Sequence, residues 1–457
     1  MPMKPMEPDR REWLAAGVPA GPPRYTSFPA PLPLSNAVGA ADYARGLSRI
    51  DPNAPLSLGV NVPFCRQVCC QCGSDLRVEN DYDGVLDYVA CVAAEIEIVG
   101  RHLDGRGRPS SVHFGGDAPN YLLTDELSAI LTAIETHIGL PDAARLSIDL
   151  DPRLLRDSDP DDLVALGFRR MSFRIQDFDF DVQAAIGCIQ SFDLIEAGVG
   201  AVRAAGVSDL SFALVCGLPR QTRRSFEETL VKTATLSPDR VSLSSYFKGD
   251  DADGEQSSFI GCVPDTRLRA EFVDLADELL ISEGYFRIGF DQYAKSDSPI
   301  VAAQRAGRFR RSLQGWSEDV ADTTIAFGAS ATGFIDGVYV QNIEGLRGYA
   351  RRVRSGSLAT GQGIRLTPVQ MAAGSTIMSL LCGDEVDPSD IRAALAPIAF
   401  AAALSRLDDL EGDGIVARTG DALAHSPGGH VLAGVVAMAL GLDRANGRRG
   451  DFPSANP

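Results

Sequence analysis

The chain has 457 residues, of which 45% are hydrophobic and 23% charged, and its formal net charge is −18. This is the composition of an ordinary globular protein, with enough length for one large domain and a smaller one. The acidic charge argues against a nucleic-acid groove or an anionic membrane as partner. No run of about eighteen apolar residues occurs, and the first residues lack the apolar core of a signal peptide. We therefore predict a cytoplasmic protein that does not span a membrane.

The N-terminal segment, residues 1–50, is rich in proline and alanine and predicts an arm that packs on the main body. From residue 51, short apolar runs alternate with helical patterns. The predicted strands are 56–62, 111–114, 146–150, 170–175, 209–215 and 240–244, and the predicted helices between them include 82–101, 124–137, 160–166, 192–205 and 224–236. This alternation predicts a parallel α/β sheet, and six strand–helix units fit an incomplete barrel better than a closed one of eight.

A further α/β stretch continues to about residue 345, so we assign 51–345 to the barrel and its extension. Helical patterns then follow at 368–381, 388–395 and 397–410, with a turn and an apolar strand at 412–419. These residues predict a small, mainly helical C-terminal domain at 346–445. The last residues, 446–457, are polar and glycine-rich and predict a disordered tail.

A cysteine-rich loop directly follows the first predicted strand. Four of the nine cysteines fall between residues 65 and 72, and Cys65, Cys69 and Cys72 fit the spacing C-x3-C-x2-C. Three thiolates leave one iron of a [4Fe-4S] cube without a protein ligand. A radical S-adenosylmethionine (SAM) enzyme needs this arrangement, because SAM binds the open iron. The spacing differs from that of a zinc ribbon, whereas a zinc knuckle or a group of free thiols stays open as an alternative.

Polar and glycine residues stand at the ends of the next predicted strands. Gly115 and Gly116 end the second strand, Asp149 lies at the end of the third, and Gln176 follows the fourth. In such barrels the chemistry takes place at the carboxyl ends of the strands. We therefore expect these residues to lie at the same end of the barrel as the cysteine loop.

Several short motifs occur in an order that is typical of one family. They are RYTSFP (24–29), LSLGVNVPFC (56–65), GGDAP (115–119), FRIQDFD (173–179), GLPRQT (217–222) and QGW (314–316). In these motifs the chain resembles the oxygen-independent coproporphyrinogen III oxidases, which are radical-SAM enzymes of haem biosynthesis. The resemblance covers nearly the whole chain. It implies an incomplete (β/α)6 radical-SAM barrel with an N-terminal arm and a small C-terminal domain.

The resemblance also implies cofactors, partners and a reaction. A [4Fe-4S] cluster would be held by Cys65, Cys69 and Cys72, and SAM by a set of strand-end residues, Gly115, Gly116, Asp149 and Gln176. The expected substrate is a porphyrinogen or related tetrapyrrole, whose propionate side chains lose carbon dioxide and become vinyl groups. An electron donor protein would reduce the cluster, and the chain would act as a monomer.

The sequence departs from the family pattern where SAM is expected to bind. Residues of other types stand at nine of these positions: Gly59, Asn61, Gln71, Asp117, Ala118, Cys188, Ala213, Phe247 and Thr332. Cys188 replaces an arginine of the family and Ala213 an aspartate, so two charged contacts are lost. Two other hypotheses therefore stay open. One is an impaired relative that binds haem or a porphyrin as a carrier, and the other is a radical-SAM enzyme with another substrate.

Overall fold

The structure is a computed structural model that describes most of the chain between residues 34 and 437. The described residues are 34–67, 69, 82–246, 263–319, 321–395, 397–412, 414–419, 422–425, 436 and 437. Most of the predicted arm and all of the predicted tail lie outside them, as do Cys70 and Cys72. By their contacts, residues 34–287 and 291–365 form one unit, and residues 288–290 group with those from 366 onward.

The first unit is built on one large sheet and the helices that connect its strands. In chain order the strands of this unit are β1 (Pro55–Val62), β2 (Arg108–Gly116), β3 (Arg145–Leu150), β4 (Phe168–Gln176), β5 (Asp209–Cys216), β6 (Arg240–Ser245), β7 (Tyr285–Ile288), β8 (Gln292–Lys295), β9 (Arg310–Ser312), β10 (Gly315–Ser317), β11 (Thr323–Phe327), β12 (Thr332–Ile335), β13 (Val338–Asn342) and β14 (Thr360–Arg365). Its helices are α1 (Ala40–Leu47), α2 (Tyr82–Leu103), α3 (Thr124–His137), α4 (Asp159–Ala165), α5 (Phe180–Ile186), α6 (Phe192–Ala204), α7 (Arg223–Leu236), α8 (Thr266–Ser282), α9 (Pro299–Arg305) and α10 (Leu346–Arg354).

The sheet has twelve strands in the order β14-β13-β12-β11-β1-β2-β3-β4-β5-β6-β8-β7. Strands β1 to β6 pair in parallel in chain order, and β11 pairs in parallel with the other side of β1. The outer strands on both sides run antiparallel. The predicted incomplete (β/α)6 barrel is therefore confirmed. The predicted strands and helices all occur, with their ends shifted by a few residues at most.

Alternation along each strand separates an apolar outer face from a small and polar inner face. In β1, Leu56, Leu58 and Val60 are buried against the helices. Ser57 and Gly59 point to the other face, where the Ser57 hydroxyl contacts side chains from β2 and from the loop between β9 and β10. The barrel interior is therefore polar, which suits a site for polar cofactors.

An ionic cluster fills the barrel at the amino ends of its strands. Arg170 Nε lies 2.8 Å from Asp209 Oδ2, and Arg170 Nη2 lies 2.7 Å from Glu318 Oε1. Arg240 is only 4% exposed, and its Nη2 lies 2.7 Å from Asp209 Oδ2. Asp319 accepts hydrogen bonds from the serine hydroxyls at the start of β2. The cluster closes this end of the barrel and leaves the opposite end for chemistry.

We expect Glu318→Ala to lower the free energy of unfolding by about 1.5–3 kcal/mol, because Arg170 loses a charged hydrogen bond and then shares Asp209 with Arg240 as the remaining carboxylate. Glu228→Ala is the matched control. Glu228 forms an exposed pair with Arg224 at 3.0 Å, and such pairs contribute less than about 1 kcal/mol. Urea unfolding of both variants checks the prediction. Equal losses of stability would show that the cluster at the amino end does not stabilise the barrel.

Three helices and a hairpin form the described part of the second unit. These elements are α11 (Pro368–Cys382), α12 (Pro388–Ala394), α13 (Pro397–Gly412), β15 (Val416–Thr419) and β16 (Ala422–His425). A capping box starts α11, since Thr367 and Gln370 each bind the other's backbone N–H, and Gly383 ends it in a left-handed conformation. Residues 346–365, which the sequence assigned to the C-terminal domain, form α10 and β14 of the first unit. The domain boundaries otherwise stay a prediction.

Within the described ranges, we find no helix with both the length and the apolarity to cross a membrane.

Candidate active site

The candidate site begins at the end of β1, where the cysteine loop starts. Phe64 is fully buried, and its ring packs edge-on against Tyr88, with the ring centroids 5.2 Å apart. The Tyr121 ring lies at a tilt of 30° to it, with the centroids 5.9 Å apart. The backbone N–H of Ala118 donates to the Phe64 carbonyl at 3.0 Å. The loop that follows β2 is thus attached to the segment that carries Cys65.

Two of the three predicted cluster ligands lie in the described part of the chain. Cys65 is 6% exposed and Cys69 is 7% exposed. Burial raises the pKa of the Cys65 thiol, and the charges of Asp151 and Cys69 add to this effect. Cys72, the third predicted ligand, lies outside the described residues. Among those that are described, no group of three histidine, cysteine or acidic side chains has the geometry to hold a metal.

Cys188, which follows α5, packs in the same apolar cluster as Cys69. Its thiol is 2% exposed and accepts a hydrogen bond from Gln190 Nε2 at 3.3 Å. Burial raises its pKa to about 11, against the opposing effect of the Arg153 guanidinium. A buried thiol therefore lies beside a predicted cluster ligand.

Arg153 is the charged group of this region that the sequence analysis missed. Its Nε lies 2.9 Å from Asp151 Oδ1, and its Nη2 lies 2.6 Å from Asp151 Oδ2. Asn120 fixes the backbone of Asp151 by accepting from its N–H and donating to its carbonyl, each at 2.9 Å. The positive charge of Arg153 opposes the rise in the pKa of both Cys65 and Cys188. The pair places a fixed cation beside these cysteines.

At both predicted glycines at the end of β2, close contacts leave no room for a Cβ. Gly116 has a φ of +108°, and a Cβ there would lie 2.6 Å from Asn61 Oδ1 and from the Val62 carbonyl oxygen. A Cβ on Gly115 would lie 2.8 Å from His113 Nε2. Glycine at both positions lets the backbone approach its neighbours, and a ligand, closely.

Asp149 faces the barrel interior from β3 and is 32% exposed at its side chain. Its Oδ2 lies 3.7 Å from His113 Nε2, and His113 Nδ1 lies 2.9 Å from Ser147 Oγ. The carboxylate is thus held by one neighbour and has accepting capacity left for a hydroxyl or an ammonium group. The histidine makes both of these polar contacts.

Gln176 is the predicted site residue with the most unusual environment. It is 1% exposed, its φ is +67°, and among the described residues neither its amide oxygen nor its amide nitrogen has a hydrogen-bond partner. A left-handed, non-glycine residue with an unsatisfied buried amide is costly, and such features cluster at ligand sites. The residues present therefore fit a polar ligand at the carboxyl end of β4.

Asp177, the next residue, anchors the loop that holds Gln176 in place. It is fully buried and accepts from Gln221 Nε2 at 2.6 Å and from Thr229 Oγ1 at 2.7 Å. It also accepts from the Asp179 N–H at 2.7 Å. Burial raises its pKa to about 6, although the three hydrogen bonds lower it. No local sequence pattern identifies this role, because the partners come from distant residues.

The raised pKa of Asp177 predicts a pH dependence of stability. In the unfolded chain this carboxyl ionises near pH 3.8, whereas in the folded chain it ionises near pH 6. Between these pH values the folded state binds a proton that the unfolded chain has lost. The stabilisation that this proton gives is therefore complete below pH 3.8 and is lost as the pH rises through 6. In urea unfolding from pH 5 to 7.5, the stability of the wild type relative to Asp177→Asn should fall by about 1.4 kcal/mol in total and level off above pH 6. A constant difference would contradict the assignment.

The candidate residues that are described lie at the carboxyl ends of neighbouring strands. Cys65 follows β1, Gly115 and Gly116 end β2, Asp149 lies in β3 and Gln176 ends β4. The strands that carry them are paired in this order. The fold therefore brings these residues to one end of the barrel. Their roles as ligands of a cluster and of SAM stay predictions.

Comparison with known proteins identifies first a class and then a family. Residues 62–232 match the model of the radical SAM superfamily. The oxygen-independent coproporphyrinogen III oxidase of Bradyrhizobium diazoefficiens is 32% identical over 421 residues, which cover 92% of this chain and 94% of that protein. The enzyme of the same name from Escherichia coli is 32% identical over 374 residues, covering 81% of this chain and 80% of that protein. The chain belongs to the oxygen-independent coproporphyrinogen III oxidase family.

The solved structures agree with this assignment. The crystal structure of coproporphyrinogen III oxidase from Escherichia coli, a radical SAM enzyme, has a TM-score of 0.84 and 30% sequence identity. The match covers 91% of this chain and 96% of that one. The predicted family, its enzyme class and its cofactors, a [4Fe-4S] cluster and SAM, are thereby confirmed.

Proposed function

We propose that this protein oxidatively decarboxylates propionate side chains of coproporphyrinogen III to vinyl groups. The proposal rests on identity to oxidases of that name over nearly the whole chain. Gln176 is the single structural observation that supports it most, because a buried amide that has no hydrogen-bond partner within the described ranges calls for a ligand. The alternative hypotheses, a haem carrier and an enzyme with another substrate, become outcomes of the test.

In this proposal Cys65, Cys69 and Cys72 hold the cluster. When bound, the cluster and SAM supply a carbon radical that abstracts a hydrogen atom from the substrate. Asp149 would accept a hydrogen bond from a hydroxyl or the ammonium group of SAM, and Gln176 would offer one acceptor and two donor positions.

Other residues of the chain shape and shield the site. Gly115 and Gly116 would let the β2 turn approach the ligand without side-chain atoms in between. The buried ring of Phe64 underlies the cysteine loop and excludes water from beneath it. The Arg153 guanidinium would offset negative charge at Cys188, whereas at Cys65 the carboxylate of its partner Asp151 acts against it.

The proposed partners follow from the same chemistry. The substrate is a tetrapyrrole, and an electron donor protein must reduce the cluster before each reaction. We propose that the protein acts as a monomer in the cytoplasm, where a reducing environment suits a cluster held by thiolates.

The direct test is an anaerobic reaction of the reconstituted protein with coproporphyrinogen III, SAM and a chemical reductant, analysed by mass spectrometry. We expect a product that has lost carbon dioxide and hydrogen from its propionates, together with 5′-deoxyadenosine. Glu97→Gln, an exposed change on α2, is the activity control. Unchanged porphyrinogen with tight binding of haem would instead support the carrier hypothesis. 5′-Deoxyadenosine without a decarboxylated product would point to another substrate.

A further inference from the structure

A buried carboxylate on α2 joins three separate parts of the first unit. Glu95 is 1% exposed. It accepts from the backbone N–H of Gly328 at 2.8 Å, from Asn342 Nδ2 at 2.7 Å and from the Tyr349 hydroxyl at 2.6 Å. These partners lie in the turn after β11, at the end of β13 and in α10. One side chain thus satisfies donors from three elements that are distant in sequence.

No counter-charge accompanies this carboxylate. The ion pairs between described residues do not include Glu95, and the titratable groups that face it are Tyr43 of α1, Tyr88 and Cys91 of α2, and Tyr349 of α10. Burial raises the pKa of Glu95 to about 7. Glutamate is rarely fully buried unless it is paired. Its place in the core is therefore explained by its hydrogen bonds and not by charge pairing.

Tyr88 lies on α2, two helical turns before Glu95. It connects the chain segment that follows β11 to the end of β1, just before the cysteine loop. Its hydroxyl donates to the Asn61 carbonyl at 2.6 Å and accepts from the Ala329 N–H at 3.2 Å. The Asn61 side chain completes the connection, since Nδ2 donates to the Ala329 carbonyl at 2.9 Å. Asn61 lies four positions before Cys65.

The same asparagine borders the candidate SAM site. A Cβ on Gly116 would lie 2.6 Å from Asn61 Oδ1, so the β2 turn rests directly on this side chain. A Cβ on Gly328 would in turn lie 2.3 Å from the Tyr88 hydroxyl. Asn61 therefore packs between the turn at 328–330 and the turn at the end of β2. Glu95 and Tyr88 hold the turn at 328–330 in place through their hydrogen bonds.

We propose that Glu95 is a positioning residue that holds the turn at 328–330 against Asn61 and so shapes the SAM side of the barrel mouth. This inference rests on the proposed function, because it assigns SAM to that mouth. A carboxylate is required because Gly328 and Asn342 present fixed N–H donors to its two oxygens. An amide in its place would turn its own N–H toward one of these donors.

The test compares Glu95→Gln with Glu97→Gln after anaerobic reconstitution. Glu97 lies on the same helix, is exposed and pairs with Arg101, so it receives the same chemical change without touching the turn. We expect Glu95→Gln to raise the Kd for SAM about tenfold, because a buried donor loses its acceptor. Hydrogen exchange of residues 328–331 should also accelerate. Glu97→Gln should match the wild type in both measurements, and Glu95→Asp should recover part of the loss.

Other outcomes separate this inference from the proposed function. Wild-type affinity for SAM together with wild-type exchange in Glu95→Gln would overturn the positioning role. Faster exchange with unchanged affinity would overturn its link to SAM. If the wild type itself binds no SAM, the proposed function fails, and the exchange of residues 328–331 still tests the structural part. If Glu95→Gln does not fold, Tyr88→Phe removes the adjoining bridge, and the same two measurements decide.

Discussion

Replacing Cys69 with alanine should reduce the iron content of the anaerobically reconstituted protein from about four atoms per chain to near zero. With it, the formation of 5′-deoxyadenosine should fall to the background of the buffer. Cys69 is buried beside Cys65 and within the C-x3-C-x2-C spacing. Two remaining thiolates do not hold a cube whose fourth iron must stay open for SAM. Iron and sulfide analysis and the absorbance of the cluster measure the change.

Cys91→Ala is the matched control for this experiment. Cys91 is 3% exposed and lies in the core on α2, outside the cysteine loop. Its loss removes a buried thiol of the same size and should leave the iron content unchanged. If Cys69→Ala kept its full complement of iron, another residue would be the ligand and the assignment of the loop would be wrong.

Gly116→Ala should lower both the free energy of unfolding and the affinity for SAM. A left-handed backbone costs a non-glycine residue about 1–2 kcal/mol. At this position the added Cβ also meets the Asn61 side chain and the Val62 carbonyl at 2.6 Å, and overpacking of this kind adds about 1–3 kcal/mol. The shift of β1 that relieves the contact would move the segment that carries Cys65.

Gly139→Ala separates backbone strain from the contact. Gly139 has a φ of +94°, and no atom lies within 4 Å of an added Cβ. This variant should show the strain alone, with SAM affinity unchanged. Chemical unfolding and equilibrium dialysis of SAM provide the two measurements. If both substitutions changed the free energy of unfolding and the affinity for SAM equally, the contact of Gly116 with Asn61 and Val62 would not be what the site requires.

Most of the barrel could be predicted from the sequence because its signals are local. The buried strands and amphipathic helices up to β6 have apolar patterns that fit only one type of element. The place of β11 could not be predicted in this way. Its residues, 323–327, pair with β1 across more than half of the chain, and no local pattern encodes that pairing.

The candidate site could be predicted where residue type and spacing carry the chemistry. Cys65 and Cys69 were found through their spacing, and Gln176 through its place after a strand. Glu95, Arg153 and Asp177 were missed as functional residues. Each acts through partners that only the fold brings near, and a lone acidic or basic residue in a helix or loop gives no such signal.

Gly59, one departure from the family pattern, lies against the side chain of Gln314. A Cβ on Gly59 would lie 2.7 Å from Gln314 Nε2, so the Gln314 side chain occupies the space into which a larger residue would extend. The Gln314 oxygen accepts from the Ser57 hydroxyl at 3.0 Å. A side chain at position 59 would therefore fit only if the Gln314 side chain moved. For Ala213, nothing in the structure explains the change.

EPR of the reduced, reconstituted protein with and without SAM tests the central claim most directly. The proposed function predicts a [4Fe-4S] signal whose shape changes when SAM is added, with 5′-deoxyadenosine formed in the same sample. A cluster signal that is indifferent to SAM, with no 5′-deoxyadenosine, would contradict a radical-SAM reaction by this chain.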